Sequence, residues 1–457
     1  MATLILGMAR SGRALARLLT ARGRAVVLAD ERLGTDDLPA DLRHLPFRGG
    51  PFASDWLAGV SRVVLSPGVP PDAPAPRAAR EAGLRVSGEL EEAFALAGAP
   101  VLAVTGTNGK STTTTLLGLL LESQGWRAPA GGNLGRPFSE LVLDEPDADF
   151  YVLEVSSFQA ETFRRFRPHA AALLNLTPDH LDRYGDAERY YAAKLRLFER
   201  LDADDWLILP ADGTLDERLA ACPSRRLRFD ARAAGAGVDA GAGPGDGGHG
   251  GDEIVPDGAG VAGGAIVLRR EGRETALLPA ADLRLVGRHN LANALAALAC
   301  ALPFLRDAVA LAEVLRTFPS LPHRMEPLGR CGPLDCYNDS KATNVEATLA
   351  SLGGLAGPLL LIAGGRDKGG DFDEMARGLP QVRLAFGIGE AGPDIARAFG
   401  SRGRLAGDLT TALRQALDEG ADGEPLILSP ACASFDQFSD FEARGDAFRR
   451  LVREAAP

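Results

Sequence analysis

The sequence predicts an α/β protein of three domains, each built on a parallel sheet covered by helices. Short apolar runs alternate with amphipathic helical stretches along almost the whole chain. Several of those runs end in glycine-rich or polar loops that lead into helices, the edge at which parallel sheets bind ligands. The length, 457 residues with 46% hydrophobic and 24% charged, suits about three ordinary globular domains. Boundaries are expected near residues 92 and 320, which gives domains of 1–92, 93–320 and 321–457.

Fifty basic and 61 acidic residues leave a net charge of −11, which argues against nonspecific binding to nucleic acid or an anionic membrane. A local basic pocket for a phosphorylated small molecule stays compatible with it. The five cysteines, Cys222, Cys300, Cys331, Cys336 and Cys432, are scattered and form no CxxC pair, so neither a disulfide framework nor a zinc site is expected. The N-terminus runs straight into strand-like residues 3–6. The longest apolar run, 291–305, is too short to span a bilayer and contains Asn293 and Pro303. A cytoplasmic protein is the expectation.

The first unit, residues 3–30, reads strand, turn, helix, strand. Its turn, Gly7-Met8-Ala9-Arg10-Ser11-Gly12, resembles a dinucleotide fingerprint that lacks the second glycine, and Asp30 ends the next strand, where an acid could meet a ribose or base. Residues 60–65 form a further strand leading to Ser66-Pro67-Gly68, 70–76 are turn-rich, and 89–96 are helical in pattern.

A second unit opens at Pro100. Thr105-Gly106-Thr107-Asn108-Gly109-Lys110-Ser111 lies between an apolar strand and a helix, so its backbone N–H groups can face a phosphate chain, Lys110 adds charge, and the Ser111 hydroxyl can ligate magnesium. The strict G-x-x-x-x-G-K-[ST] pattern fails, because Val104 stands at its first glycine. The strand 150–157 carries Glu154 at its C-terminal end, and His180 follows the strand in 171–180. Alone, the first would be a solvated strand end and the second a structural hydrogen-bonder.

Stepping residues 188–198 by about 100° each places Tyr190, Tyr191, Leu195, Leu197 and Phe198 on one arc with Lys194 inside it. Glu188, Arg189, Arg196, Glu199 and Arg200 take the other side. An inward lysine must pair, shift its pKa or be modified, unless its stem lets it reach solvent. Residues 231–264 are rich in glycine and alanine, which reads as a flexible surface loop or a hairpin extension. His289-Asn290-x-x-Asn293 opens an alanine-rich helix, and Arg324 stands at the second boundary, where a guanidinium suits phosphoryl charge. Three later strands each end in a polar loop, at 338–344, 364–370 and 429–436, and the three loops look like one site.

The ordered set TGTNGKST, LEVSSFQ, TPDHLDRY, YAAKLRLFE, GRHNLANALAA, LPHR, YNDSKATN, GGRDKGGDF and LSPACASFDQF resembles the Mur ligase family over essentially the whole chain. SSFQ, NDSKATN and SPACASFDQF favour a member that adds D-glutamate. The resemblance implies an N-terminal Rossmann-like domain for a UDP-linked substrate, a central P-loop-type ATP-binding domain and a C-terminal Rossmann-like domain for the amino acid. It implies ATP-dependent amide formation through an acyl phosphate, with UDP-N-acetylmuramoyl-L-alanine, D-glutamate and ATP as partners, Mg2+ as cofactor and a monomeric enzyme.

It also implies residue roles. Thr107, Asn108, Gly109, Lys110, Ser111, Thr112, Asn293, Arg324 and Asp339 would bind ATP, the last two from across a domain cleft that closes. Lys110, Glu154, His180 and Lys194 would be catalytic, with Ser111, Glu154, His180 and a carbamylated Lys194 holding the metal. Arg10, Ser11, Asp30, Arg32, Gly68 and Asn133 would meet the UDP substrate, and Thr343, Lys368, Ser434 and the backbone of Phe441 the D-glutamate. A folate-type polyglutamate ligase or another Mur ligase shares much of the set. An NAD-dependent dehydrogenase would ignore the phosphate loop, and a non-enzymatic nucleotide-binding regulator would need neither Glu154, Lys194 nor Lys368.

Overall fold

A computed structural model describes residues 1–455 apart from 134, 233–256, 286, 320 and 356. Among the described residues the strands fall into three sheets that share none. The first holds β1 (Ala2–Leu6), β2 (Val26–Asp30), β3 (Phe47–Gly49), β4 (Val60–Leu65) and β5 (Arg85–Gly88), all parallel, in the order β3-β2-β1-β4-β5. Strand order turns back at β1 and β4, which opens a crevice at their C-terminal ends, between Gly7 and Ser66.

The second sheet has nine strands: β6 (Val101–Thr105), β7 (Ala130–Gly132), β8 (Tyr151–Glu154), β9 (Ala170–Leu173), β10 (Trp206–Pro210), β11 (Arg225–Asp230), β12 (Gly258–Ala262), β13 (Ala265–Arg270) and β14 (Arg273–Pro279). Their order is β14-β13-β12-β11-β10-β9-β6-β8-β7, parallel from β7 to β12, with β12, β13 and β14 antiparallel at the edge. Both faces are covered. Leu102 and Val104 pack with the helices Lys110–Ser123 and Arg288–Ala301, while Val101 and Ala103 pack on the opposite face with Phe138, Leu153 and Phe166. That double burial is why these strands read as continuous apolar runs. The glycine-rich stretch meets this edge: residues 258–264 form β12 and its turn into β13, a hairpin extension, and residues 233–256 lie outside the described residues.

The third sheet holds β15 (Glu326–Cys331), β16 (Leu334–Asn338), β17 (Leu359–Gly364), β18 (Val382–Ile388), β19 (Gly403–Gly407) and β20 (Pro425–Leu428), in the order β15-β16-β20-β17-β18-β19. Only the β15–β16 pair is antiparallel among its described pairings. Because β16, β20 and β17 are neighbours, the three polar loops that follow them lie side by side. No helix among the described residues is long and apolar enough to cross a membrane.

One expectation is corrected in detail. The helix carrying Lys194 spans Ala187–Leu195, and Arg196–Phe198 tightens into a 3-10 turn. The tighter turn brings Arg196, expected on the solvent side, inward to half-burial, where its Nη2 donates to Phe163 O at 2.7 Å.

Candidate active site

The loop after β6 turns on glycines whose backbone requires them. Gly109 has φ +85°, and a Cβ there would stand 2.1 Å from Asn293 Oδ1. The loop is also held from outside: Asn175, just past β9, accepts Thr107 N–H at 3.0 Å and Asn108 N–H at 2.9 Å, and donates to Asn108 O at 3.1 Å. Thr107 Oγ1 donates to Thr177 O at 2.9 Å and accepts Thr177 N–H at 3.0 Å. Two strand-end loops thus form one rigid rim at the point where the sheet order reverses around β6. Lys110 curls back, its Nζ donating to Gly106 O at 3.0 Å and Thr107 O at 2.6 Å.

Around this rim the expected ATP residues converge. Asn108, Gly109, Thr112, Asn293, Arg324 and Asp339 line a cavity of about 340 Å3, and Arg324 Nη2 reaches across from the third domain to Ser111 Oγ at 3.4 Å. A second cavity of about 670 Å3 adjoins it, with Phe229, Ala292 and Leu349 among its apolar walls.

Glu154 ends β8 fully inside the protein. Its Oε1 accepts Asn133 Nδ2–H at 2.7 Å, and its Oε2 is buried with no hydrogen-bond partner. Against the cost of burial, Lys110 and Lys341 hold this carboxyl below its usual range. A buried, ionised, half-satisfied carboxylate is a strong invitation to a cation. His180 has φ +54°, and burial, followed by the Lys368 charge, pushes its imidazole down to about 4, keeping a ring nitrogen free to ligate. Among the described residues no three of His, Cys, Asp and Glu converge as a ready metal cage. The unpartnered Glu154 oxygen fits a hard cation such as magnesium, which takes one or two carboxylates and completes its shell with phosphate and water oxygens.

Lys194 is 2% exposed. Its Nζ donates to Gly106 O at 2.8 Å and lies 4.7 Å from the Tyr190 ring centroid. Burial and then the Lys110 charge hold its pKa well below that of an ordinary lysine. The stem does not reach solvent, so the snorkelling alternative falls. The centre gathers Lys110, Arg324, Lys341 and Lys368 against Glu154, Asp179 and Asp339, an excess of positive charge suited to phosphate.

Arg10, Ser11, Asp30, Arg32, Gly68 and Asn133 all line one cavity of about 660 Å3 over the crevice of the first sheet. Asp30 also staples its own loop, accepting Met8 N–H at 2.8 Å and Arg32 N–H at 2.9 Å. Arg10 Nη1 donates to Gly135 O at 2.8 Å, tying the first domain to the second across that cavity. Lys368 lies 3.6 Å from Asp179, Ser434 is buried, and Phe441 opens the helix Phe441–Glu454 with its carbonyl accepting Ser340 Oγ–H at 2.8 Å. Thr343 is half-buried on the loop after β16.

Sequence reasoning assigned no role to several residues that organise this site. Asp179, Lys341 and Asn344 stand within motifs quoted for their neighbours, and Asn175 lies inside the strand segment 171–180. Arg444 carries no local signature. It is 1% exposed, and its guanidinium donates to Ser340 Oγ at 3.0 Å, Ser340 O at 2.9 Å, Cys432 O at 3.1 Å and Gly364 O at 3.3 Å. One buried cation thus pins all three polar loops of the third sheet.

Family models match in three consecutive stretches: "Mur ligase MurD-like, N-terminal domain" at residues 1–88, "Mur ligase middle domain" at 104–301 and "Mur ligase, glutamate ligase domain" at 323–432. The UDP-N-acetylmuramoylalanine--D-glutamate ligase of Anaeromyxobacter dehalogenans is 41% identical over 468 residues, covering 99% of this chain and 97% of that one. The enzyme of the same name from Thermoanaerobacter pseudethanolicus is 35% identical, covering 99% and 98%. Among solved structures, the UDP-N-acetylmuramate-alanine ligase of Thermotoga maritima shares the fold with a TM-score of 0.61 at 16% identity, over 99% of both chains.

Proposed function

The chain belongs to the Mur ligase family, and on that premise we propose that it is the ATP-dependent ligase that joins D-glutamate to UDP-N-acetylmuramoyl-L-alanine, a step of peptidoglycan precursor synthesis. The observation that carries the reading is the convergence of a phosphate loop with a second domain's cation and polar loops across one cleft, with Arg324 at 3.4 Å from Ser111.

The muramoyl-alanine carboxylate attacks the γ-phosphorus of ATP, the bond to the β-phosphate oxygen breaks, and ADP leaves. The amine of D-glutamate then attacks the acyl carbon. The ammonium has by then given one proton to water; a C–N bond forms, the C–O bond to phosphate breaks, and the nitrogen releases one more proton to the departing inorganic phosphate and keeps one as the amide N–H. Within residues 107–112, Thr107 and Asn108 shape the loop through Asn175, the backbone N–H groups of 109–112 and Lys110 hold the phosphate chain, and Arg324 follows the charge on the moving phosphoryl group. Asn293 and Asp339 complete the ATP site, and the nucleoside takes the cavity of about 670 Å3 beside it.

Ser111, Glu154, His180 and Lys194 are the proposed magnesium ligands, and the metal, when bound, neutralises phosphate charge. The Lys194 amine, whose pKa burial and then the Lys110 charge hold well below that of an ordinary lysine, attacks CO2 in its unprotonated form and loses a proton, giving a carbamate. That change supports the reading doubly, since it uses an amine that burial disfavours as a cation and supplies an anionic oxygen. Arg10, Ser11, Asp30, Arg32, Gly68 and Asn133 receive the uridine nucleotide in the cavity of about 660 Å3. Thr343, Lys368, Ser434 and the Phe441 backbone receive D-glutamate carboxylates.

The test is phosphate release from Mg-ATP with UDP-N-acetylmuramoyl-L-alanine and either D- or L-glutamate. Turnover with the D isomer alone is expected. Turnover with a different amino acid would move the chain elsewhere in the family, and release without any amino acid would overturn the ligase reading.

A further inference from the structure

The residues assigned to D-glutamate offer a cation, hydroxyls and a backbone N–H, all suited to its carboxylates. None supplies a negative charge for its ammonium. Asp179 does. It stands on the turn after β9, one residue before His180, with its side chain only 8% exposed. Its Oδ1 accepts His180 N–H at 2.8 Å, and its Oδ2 accepts Asn344 Nδ2–H at 3.1 Å from the third domain. Lys368 Nζ lies 3.6 Å from Oδ1, close enough for attraction and too far for a direct hydrogen bond. Two fixed, opposite, largely buried charges therefore face each other across the cleft, one beside the proposed amino-acid contacts and the other beside the phosphate centre.

We propose that Asp179 binds the ammonium of D-glutamate, the zwitterion entering between the paired charges with a carboxylate on Lys368 and its nitrogen on Asp179. This rests on Lys368 as an amino-acid contact and deepens that reading. The exchange replaces one loose pair by two charge-assisted contacts. It also brings the nitrogen to the His180 side of the cleft, where the acyl phosphate forms, and fixing nitrogen and carboxylate separately favours one hand of the amino acid.

The test uses the full chain and two probes, D-glutamate and glutarate, which keeps both carboxylates and lacks the ammonium. In the wild type, glutarate is expected to inhibit with a constant at least about tenfold above the KM for D-glutamate. In Asp179→Asn, the KM for D-glutamate is expected to rise about tenfold or more while the glutarate constant stays or falls, so the gap closes. An ADP–Mg-induced rise in melting temperature checks that the variant folds. An unchanged or lower D-glutamate KM would overturn the inference, leaving the pair a mere domain latch. So would parallel weakening of both probes, which would mean that Asp179 acts through Lys368. Should the variant fail to fold, the wild-type comparison decides: glutarate binding as well as D-glutamate would overturn it. No D-glutamate-dependent turnover in the wild type would instead sink the proposed function, and this inference with it.

Discussion

Lys194 was legible because a helix imposes a period: an amphipathic arc with a lysine inside it is visible without any tertiary contact. Its burial among Gly106, Tyr190 and Lys110 gives that signal a consequence. Lys194→Ala is expected to lower turnover about a hundredfold or more, the scale of losing one charge-stabilising group, and acetate or formate at high concentration should restore part of it by supplying the missing oxygens. Lys194→Arg keeps the cation but cannot form a carbamate, and should show no such rescue. Steady-state rates with and without the added acid check this, and equal rates for all three proteins would remove the carbamate from the mechanism. Asn175 and Asp179 were illegible at the same scale. They are single polar residues after an apolar strand, and only the third dimension reveals that one clamps the phosphate loop and the other faces Lys368.

Elements bounded by a change of period were readable: β6 with its glycine loop and helix, β4, β17 and β20 all follow from apolar runs that end in turn residues. β11 was not, because Arg225–Asp230 buries only alternate residues, Leu227 and Phe229, and never forms a continuous apolar run. The phosphate loop depends on one backbone conformation. Gly109→Ala would place a methyl 2.1 Å from Asn293 Oδ1 at φ +85°, so ATP affinity is expected to fall at least about tenfold while melting changes little, by strain of about 1–3 kcal/mol confined to the loop. Titration with ADP or a nonhydrolysable ATP analogue checks it. The loops after β16, β17 and β20 depend instead on Arg444. Arg444→Met would leave the buried carbonyls of Ser340, Gly364 and Cys432 without their donor, costing about 3 kcal/mol. The KM for D-glutamate should rise more than ADP binding weakens, because the phosphate loop belongs to another sheet and only Asp339 of the proposed ATP contacts lies on these loops. A uniform loss of both would mean that Arg444 supports the whole domain and not these loops in particular.

Arg324 of the third domain reaches Ser111 of the second, and Asn344 and Lys368 reach Asp179, so these two domains meet directly across the cleft. The first and second domains are joined differently, by the acids of the helix Glu89–Phe94, whose pattern was legible as a helix but not as a clamp. Glu91 accepts the backbone N–H groups of Arg164, Arg165 and Phe166, and Glu92 pairs with Arg62 at 2.8 Å. Glu89 is the third acid of the clamp: it is 2% accessible, its Oε1 accepts Ser139 N–H at 2.6 Å and Ser139 Oγ–H at 2.5 Å, and its Oε2 is buried without a partner. Burial raises its carboxyl to about 7 from 4.5, with Ser139 opposing. The folded protein therefore holds a proton that the unfolded chain releases near 4.5, so stability falls as pH rises from about 4.5 to about 7 and the loss is complete above that. At about 1.4 kcal/mol for each unit, the loss is on the order of 3 kcal/mol. Glu89→Gln keeps the acceptor for Ser139 and cannot ionise. It should match the wild type in denaturant midpoint near pH 4.5 and exceed it at pH 8, with most of the change between pH 5 and 7. Parallel stability curves for the two proteins would show that Glu89 stays ionised inside the joint, its charge balanced by neighbours, and that the two domains are held together without a proton.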